Sequence, residues 1–475
     1  MSQITVTDEG DRPPGQLEVD SELVDEIAAL VETGQRGMVM NLVADLYAAD
    51  LSQLLVHLPF DAARQLFQWL AVEDAAEVLP ELESGFRVEL LDQIQPARIT
   101  ALVDELETDD AADVLSELRP EVAQEVLPRL EDAEDLQELL AHAEDTAGGI
   151  MGTEFVAVPL GWTVSETTEE VRRNAERIGE IYNVFVVDDD QRLRGKVSPT
   201  RLLLSPAHAS IESIMETDVL SVRPGVDQEE VARMMQRYDL VSMPVVDADG
   251  RLVGRITIDD VVDVIREEAA EDIQRLSGVS GEGPRDSALR IVRGRLPWLV
   301  AGLTGAGLSA AVIGGFEGAL EEAVVLTLFI PVVMGMAGNA GIQSASIVVQ
   351  GLANGDVWSS DAVRRLGKEI FVALLNGTTL ALLLSALVVL IPPILGRFDV
   401  ATQLFADVNL ARLSLAAGLS LILVILTATM VGTTVPLLLQ RMRIDPALAS
   451  GPFITTSNDI IGLGIYFLVA TMIYL

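Results

Sequence analysis

Residues 296–316 read LPWLVAGLTGAGLSAAVIGGF, without a single charge. A helix needs about 20 residues to cross a hydrocarbon core about 30 Å thick, so this stretch is long enough to span a membrane. Four more apolar stretches follow, near 323–352, 370–395, 413–439 and 446–475. Together they predict an α-helical membrane domain over 289–475 with five transmembrane helices. The charges between the stretches predict its orientation. Arg290, Arg293 and Arg295 precede the first span, Arg364, Arg365 and Lys368 follow the second, and Arg441 and Arg443 follow the fourth. Between the first and second lie Glu317, Glu321 and Glu322 with no basic residue, and the connection between the third and fourth has two basic residues, Arg397 and Arg412. Basic loops stay in the cytoplasm, which places the N-terminal half inside and the C-terminus outside a cell membrane.

The two halves of the 475-residue chain differ in charge. Residues 289–475 hold ten Lys/Arg and ten Asp/Glu, so the entire net charge of −40 belongs to the first 288. Such acidity excludes a nucleic-acid binder, which needs clustered cations for phosphate. Zero cysteines exclude disulfides, thiolate metal sites and thiol chemistry. His57, His142 and His208 are too few and too scattered for a His-rich metal site. The pattern G-x-x-x-x-G-K-[ST] of nucleotide hydrolases is absent, and no nucleophile–base pair suggests an enzyme. Lys196 and Lys368 are the only lysines beside 30 arginines, a balance shared with salt-adapted acidic surfaces.

The acidic half is itself modular. Residues 1–20 are polar, lack the pattern of a signal peptide, and are expected to be disordered. Residues 21–142 show short amphipathic segments punctuated by Pro59, Pro80, Pro96, Pro120 and Pro128. Within them DAAEVLPEL (74–82) recurs as DAADVLSEL (110–118), which predicts an all-α superhelical array. A second repeat follows, in which VFVVDDDQRLRGKVSPTRLL (184–203) matches MPVVDADGRLVGRITIDDVV (243–262) at an offset of 59. Each copy reads strand, acidic turn, strand, helix, so 143–206 and 207–265 are two α/β modules. Residues 266–288 leave the second module as an acidic connecting helix. Asp260, Asp263, Glu267, Glu268, Glu271 and Asp272 fall at spacings that stack like charges along one face. Either solvent or a divalent cation must neutralise them, and oxygen ligands without His or Cys suit Mg²⁺ or Ca²⁺.

Ionisable groups within membrane spans are candidates for function. Asp459 stands out in PFITTSNDIIGLGIYFLVA (452–470), and Asp445 begins the same predicted span four helical turns earlier. In the second span GMAGNAGIQSAS (335–346), Asn339 and Gln343 present amides on one face, either as pore lining or as polar helix packing.

Four segments taken together resemble the MgtE family of magnesium channels: EDTAGGIMGTEF (144–155), the tandem α/β repeat, PVVMGMAGNAGIQSAS (331–346) and DPALASGPFITTSNDIIGL (445–463). The likeness runs from about residue 21 to 475, with Ala337 and Ile342 as small departures. It implies a helical N domain, CBS modules at 143–206 and 207–265, a plug helix at 266–288 and a five-helix pore domain. It further implies a homodimer in the lipid bilayer, with no obligatory protein partner, whose pore carries Mg²⁺ down its electrochemical gradient. In the pore, Asp459 is implied as the selectivity carboxylate, Asp445 as the cytoplasmic-mouth carboxylate and Asn339 as a lining residue. Asp109, Asp113, Glu229, Asp239, Asp260 and Asp263 are implied as cytoplasmic Mg²⁺ sensors, and Glu268, Glu271 and Asp272 as the acidic face of the plug. In CBS modules a Ser/Thr followed three residues later by Asp holds a nucleotide ribose. Thr257 and Asp260 keep that pair for ATP or another adenine nucleotide, whereas Ser198 is followed by Arg201. Two further readings remain open on the sequence: an ion-coupled transporter or exporter, and a sensor that the membrane domain merely anchors.

Overall fold

The computed structural model describes residues 21–175, 177–279, 288–353, 362–395, 408–448 and 451–475. The expected disorder of 1–20 and the 280–287 portion of the connecting segment lie outside the described residues. The chain divides into two compact units, Met1–Arg266 and Glu267–Leu475.

Among the described residues, the first unit opens with ten short α-helices: α1 (Ser21–Glu32), α2 (Arg36–Val43), α3 (Ala48–His57), α4 (Phe60–Trp69), α5 (Val72–Val78), α6 (Ser84–Leu91), α7 (Pro96–Val103), α8 (Thr108–Glu117), α9 (Pro120–Val126) and α10 (Ala133–Leu139). Proline sets their rhythm. Pro96 and Pro120 stand at the first helical positions of α7 and α9, where a missing N–H costs no hydrogen bond. Each helix is too short to be stable alone and depends on burying its apolar face. Leu54, Leu55, Leu66, Phe67, Leu79, Phe86, Leu90 and Val114 are fully buried in that shared core. Arg87 on α6 grips Glu117 on α8 with two bonds, Nε at 2.7 Å and Nη2 at 2.8 Å, and so ties successive turns of the array. The repeated nonapeptides lie on α5 and α8.

Two α/β modules follow. The first has β1 (Val156–Pro159), α11 (Val164–Asn174), β2 (Val184–Val187), β3 (Leu193–Val197) and α12 (Pro199–Leu204); the second has α13 (Ile211–Ile214), α14 (Gln228–Arg237), β4 (Ser242–Val246) and β5 (Leu252–Thr257), followed by α15 (Ile258–Leu276). β1 pairs parallel to β2, which pairs antiparallel to β3, and β4 pairs antiparallel to β5. The acidic turns of the two hairpins are built identically. Asp188 Oδ1 accepts the N–H groups of Asp190 and Arg192, and Asp247 Oδ1 accepts those of Asp249 and Arg251. Gln191 and Gly250, 59 residues apart, take the left-handed conformation that this Asx turn requires. The modules also exchange their leading methionines. A Cβ on Gly254 of the second hairpin would lie 2.7 Å from Met151 Sδ, and one on Gly195 of the first would lie 2.8 Å from Met215 Sδ. Each hairpin thus receives the segment that introduces the other module, so the pair folds as a unit. The core of the second module is continuous with that of the helical array, and Val231, Met235, Met243, Ile256 and Val261 join it.

The second unit contains α16 (Ala288–Gly315), a short α17 (Glu317–Glu322), α18 (Ile330–Ala353), α19 (Ala362–Leu395), α20 (Leu410–Arg441) and α21 (Gly451–Ile473). Among the described residues, five helices are long and apolar enough to cross a membrane. The second of them enters as a 3₁₀ turn over Val324–Phe329 before Pro331 lets the α-helix begin. α20 is the central helix, packed against α18, α19 and α21, while α16 lies against α21. The outward row Leu375, Leu382, Leu383, Leu387 and Leu390 of α19 suits contact with lipid tails. Between α18 and α20 the backbones nearly touch, since a Cβ on Gly432 would lie 2.3 Å from the carbonyl oxygen of Gly341.

Candidate ion pathway and acidic regulatory site

α21 carries Asp459 inside the apolar bundle. Its Oδ1 is buried and accepts no hydrogen bond. The preceding Asn458 is 2% exposed, and its Nδ2 donates to the Ala337 carbonyl of α18 at 3.4 Å. The amide sits where a side chain on Gly341 would be, 2.0 Å from that ideal Cβ position. Asn458 therefore sets the seating of α21 on α18, and thereby the direction of the neighbouring carboxylate. Asn339 and Gln343 of α18 are exposed in the single copy. Polar amides exposed on an apolar helix call for a neighbour or for water.

Asp445 is not on the helix of Asp459. It precedes a 3₁₀ turn, Pro446–Leu448, and α21 starts at Gly451. Pro446 cannot supply the N–H that a continuing helix needs, and Asp445 Oδ1 instead accepts the Ala447 N–H at 2.8 Å. The expected four-turn alignment of Asp445 and Asp459 along one helix is thus replaced by a turn that caps the start of the span. Asp445 Oδ2 accepts a hydrogen bond from Arg275 of α15, which also pairs with Glu271 one turn back. Asp272, in the same stretch, has its carboxyl pushed up by burial and then by the charge of Asp445.

In the first unit the expected sensors separate into groups. Asp109 and Asp110 lie in the first turn of α8, where they meet Glu154 and the start of α15. Glu154 accepts the Thr108 N–H and hydroxyl, both at 2.9 Å. A Cβ on Gly152 would lie 3.0 Å from Glu154 Oε2 and 3.1 Å from Asp109 Oδ2, so the two carboxylates flank this glycine. Glu107 adds a further carboxylate, held by Arg255 Nη2 at 3.1 Å. Asp260 accepts from both the backbone N–H and the hydroxyl of Thr257, at 3.0 and 2.5 Å.

The electrostatics of this cluster are unfavourable to its own charges. Burial, then the charges of Asp260, Asp110, Glu107 and Glu154, drives the Asp109 carboxyl well above the usual carboxylate range. Burial, then Asp260 and Asp113, pushes Asp110 up to about 7. Burial also pushes Asp260 up to about 6 against the opposing bonds from Thr257. Glu107 is raised by burial despite Arg255. Carboxylates crowded out of water in this way bind protons or cations in preference to remaining bare.

The other expected sensors are not gathered there. Asp263 faces solvent and pairs with Arg266 at 3.5 Å. Glu229 and Asp239 lie at opposite ends of α14, and Glu229 pairs with Arg233 at 3.3 Å. Among the described residues, no three His, Asp or Glu side chains form a ready-made metal cage. Thr257 and Asp260 keep the bonded pair expected for a ribose site, whereas Ser198 spends its hydroxyl as the helix cap that accepts the Arg201 N–H. Glu107, Asp110, Glu154, Arg275 and Asn458 were not expected from the sequence. Asp110 and Glu154 lie inside the quoted motifs, but nothing in the pattern distinguishes Asp110 from its exposed repeat partner Asp74.

Family models cover these parts in order. The MgtE intracellular N domain matches residues 46–145, CBS domains match 147–207 and 211–267, and the MgtE "divalent cation transporter" model matches 330–469. The magnesium transporter MgtE of Bacillus subtilis is 31% identical over 453 residues, which is 95% of this chain and 97% of the relative. The chain belongs to the MgtE family. A second MgtE magnesium transporter, from Thermus thermophilus, is 38% identical over 346 residues, 71% of this chain and 72% of its own length. Among solved structures, the cytosolic domain of the Mg²⁺ channel MgtE in complex with ATP is 36% identical, covering 50% of this chain and 99% of that one at a TM-score of 0.48. The soluble part of a magnesium transporter is 29% identical, covering 52% and 98% at a TM-score of 0.47. The MgtE membrane model spans α18 to most of α21, and therefore includes Asn339, Asp445 and Asp459.

Proposed function

We propose that the chain is a homodimeric Mg²⁺ channel of the cell membrane, with its N-terminal unit in the cytoplasm and its C-terminus outside. It admits Mg²⁺ down the electrochemical gradient and is closed by cytoplasmic Mg²⁺. The observation that carries this reading is the cluster of crowded carboxylates around Gly152, in a chain whose fifth span holds an unpartnered Asp459. The sensor needs a ligand that neutralises Asp109, Asp110 and Asp260 together, and a divalent cation bound by oxygens does so.

Each part has a physical task. Asp459, contributed once by each copy, attracts a cation that keeps much of its hydration shell, because Mg²⁺ sheds water reluctantly. Asn339 supplies amide oxygens to that water. Asp445 concentrates cations at the cytoplasmic mouth. A membrane potential of 100 mV contributes about 4.6 kcal/mol to moving two charges inward, so no hydrolysis is required. Cytoplasmic Mg²⁺ closes the pore only if it binds the compact arrangement of the acidic unit better than the spread one. The carboxylates of α8 and α15, with Asp113, Asp263, Glu229, Asp239, Glu268, Glu271 and Asp272, provide that difference. An adenine nucleotide held by Thr257 and Asp260 would share Asp260 with this site, so nucleotide and Mg²⁺ would be coupled there.

Flux into liposomes containing the purified full-length chain tests the reading. Potential-driven Mg²⁺ uptake that disappears in Asp459→Ala, with the variant still eluting as the wild type, is the expected result. Uptake that requires an opposing Na⁺ or H⁺ gradient would replace the channel by a coupled transporter. Undiminished uptake in Asp459→Ala would remove Asp459 from the pathway.

A further inference from the structure

Arg275 lies one residue before the end of α15 and reaches beyond its own helix. Its guanidinium bonds Glu271, one turn back, and also Oδ2 of Asp445 in the turn that leads into the fifth span. Because Asp445 Oδ1 is already taken by the Ala447 N–H, both oxygens of this carboxylate are engaged. The contact continues one step further. Gly278 has a left-handed backbone, and a Cβ there would lie 2.7 Å from Pro452 Cγ and 3.6 Å from Trp298 Cγ. The end of the connecting helix is therefore seated against Trp298 of α16 and the start of α21, with Arg275 at the charged edge of the seat.

Glu268, Glu271 and Asp272 of α15 and Asp445 of the membrane domain all act on this point. Bringing such carboxylates together without a counter-charge is unfavourable. Mg²⁺ could serve, but it requires oxygens in near-octahedral array and retains waters. A guanidinium is permanently charged, and its planar fork can bond two carboxylates at once.

We propose that Arg275 is a built-in cation that occupies Asp445 when the pore is closed, so that the chain's own charge, and not Mg²⁺, latches the connecting helix to the pore mouth at this point. The proposal rests on reading α15 as the plug and Asp445 as the cytoplasmic mouth. Opening then breaks the Arg275–Asp445 pair and frees Asp445 to draw a hydrated cation, so the arginine and the permeating ion compete for one carboxylate. The latch also biases the channel toward closure before any Mg²⁺ has bound, which lets sensors of modest affinity complete the closure.

The test uses the full-length protein in liposome patches, with Mg²⁺ on the cytoplasmic side stepped from zero upward. Arg275→Gln should conduct more at zero Mg²⁺ and need roughly fivefold more Mg²⁺ to close, the range expected of a partly exposed ion pair. Arg275→Lys, which keeps the charge, should stay within about twofold of the wild type. Arg275→Glu, which sets a like charge against Asp445, provides a second arm and should need still more Mg²⁺ to close than Arg275→Gln. Closure of Arg275→Gln at the wild-type concentration or below, or closure of Arg275→Glu as readily as Arg275→Lys, overturns the latch. Wild-type current that Mg²⁺ fails to close would instead overturn the gating reading beneath it.

Discussion

Proton–Mg²⁺ competition at the α8–α15 cluster is the most quantitative consequence of the structure. Burial and neighbouring charge push Asp110 up to about 7 and Asp260 up to about 6, and Asp109 is raised as well. A carboxylate must be deprotonated to bind Mg²⁺, so every proton held there competes with the metal. At pH 6 a group titrating at 7 is available about one time in eleven and a group titrating at 6 about half the time, whereas at pH 8 both are almost fully available. These two groups alone give a roughly 20-fold higher Mg²⁺ requirement at pH 6 than at pH 8, and Asp109 acts in the same direction. The sign also holds for stability. These carboxyls bind protons more tightly folded than unfolded, so metal-free stability falls as pH rises from the usual carboxylate range near 4 towards 7. Added Mg²⁺ should therefore stabilise more at pH 8 than at pH 6. The assay is thermal unfolding of the full-length protein in detergent, titrated with Mg²⁺ at both pH values. In Asp110→Asn the ratio of midpoints should shrink about tenfold, the share that Asp110 contributes. Equal wild-type midpoints at pH 6 and pH 8, or an unchanged ratio in Asp110→Asn, would refute the reasoning.

Three further outcomes are expected. Gly432→Ala should lower the unfolding temperature in detergent by several degrees, because its new Cβ meets the Gly341 backbone, which has no side chain to move; Gly302→Ala, with open space around it, is the matched control. Arg87→Ala should destabilise the N-terminal unit by about 3–5 kcal/mol in denaturant titrations, because it leaves Glu117 mostly buried without its partner. Thr257→Val should weaken ATP binding measured by calorimetry, since it removes the hydroxyl that bonds Asp260, while Ser198→Ala should leave binding within about twofold, since the Ser198 hydroxyl is spent on the cap of α12.

The modular order was legible from patterns that physics makes strong. Uncharged stretches of membrane length, two repeats with fixed offsets and a charge boundary near residue 288 all register in a one-dimensional reading. The hairpin offset of 59 reappears as duplicate Asx turns at Asp188 and Asp247 because the turn chemistry is local. Sites assembled across elements were less legible. Asp74 and Asp110 are the same residue in the same repeat, yet the second alone is crowded by Asp260 and Glu107, because α8 faces the second module. Asp445 looked like the first turn of a long span, but Pro446 and a 3₁₀ turn separate it from α21. Nothing in the local pattern marks Arg275, since its partner Asp445 is 170 residues away. Asn458 is likewise unmarked beside Asp459, because the Gly341 gap that receives it is on another helix.

The central claim is that cytoplasmic Mg²⁺ closes the pore by neutralising carboxylates of the cytoplasmic unit and the connecting helix. It is tested most directly by recording current through the full-length protein while cytoplasmic Mg²⁺ is raised, for the wild type and for Asp260→Asn combined with Glu268→Gln. The account predicts that the wild type closes and that the double variant still conducts at Mg²⁺ concentrations that silence the wild type. Closure of both at the same concentration would contradict it.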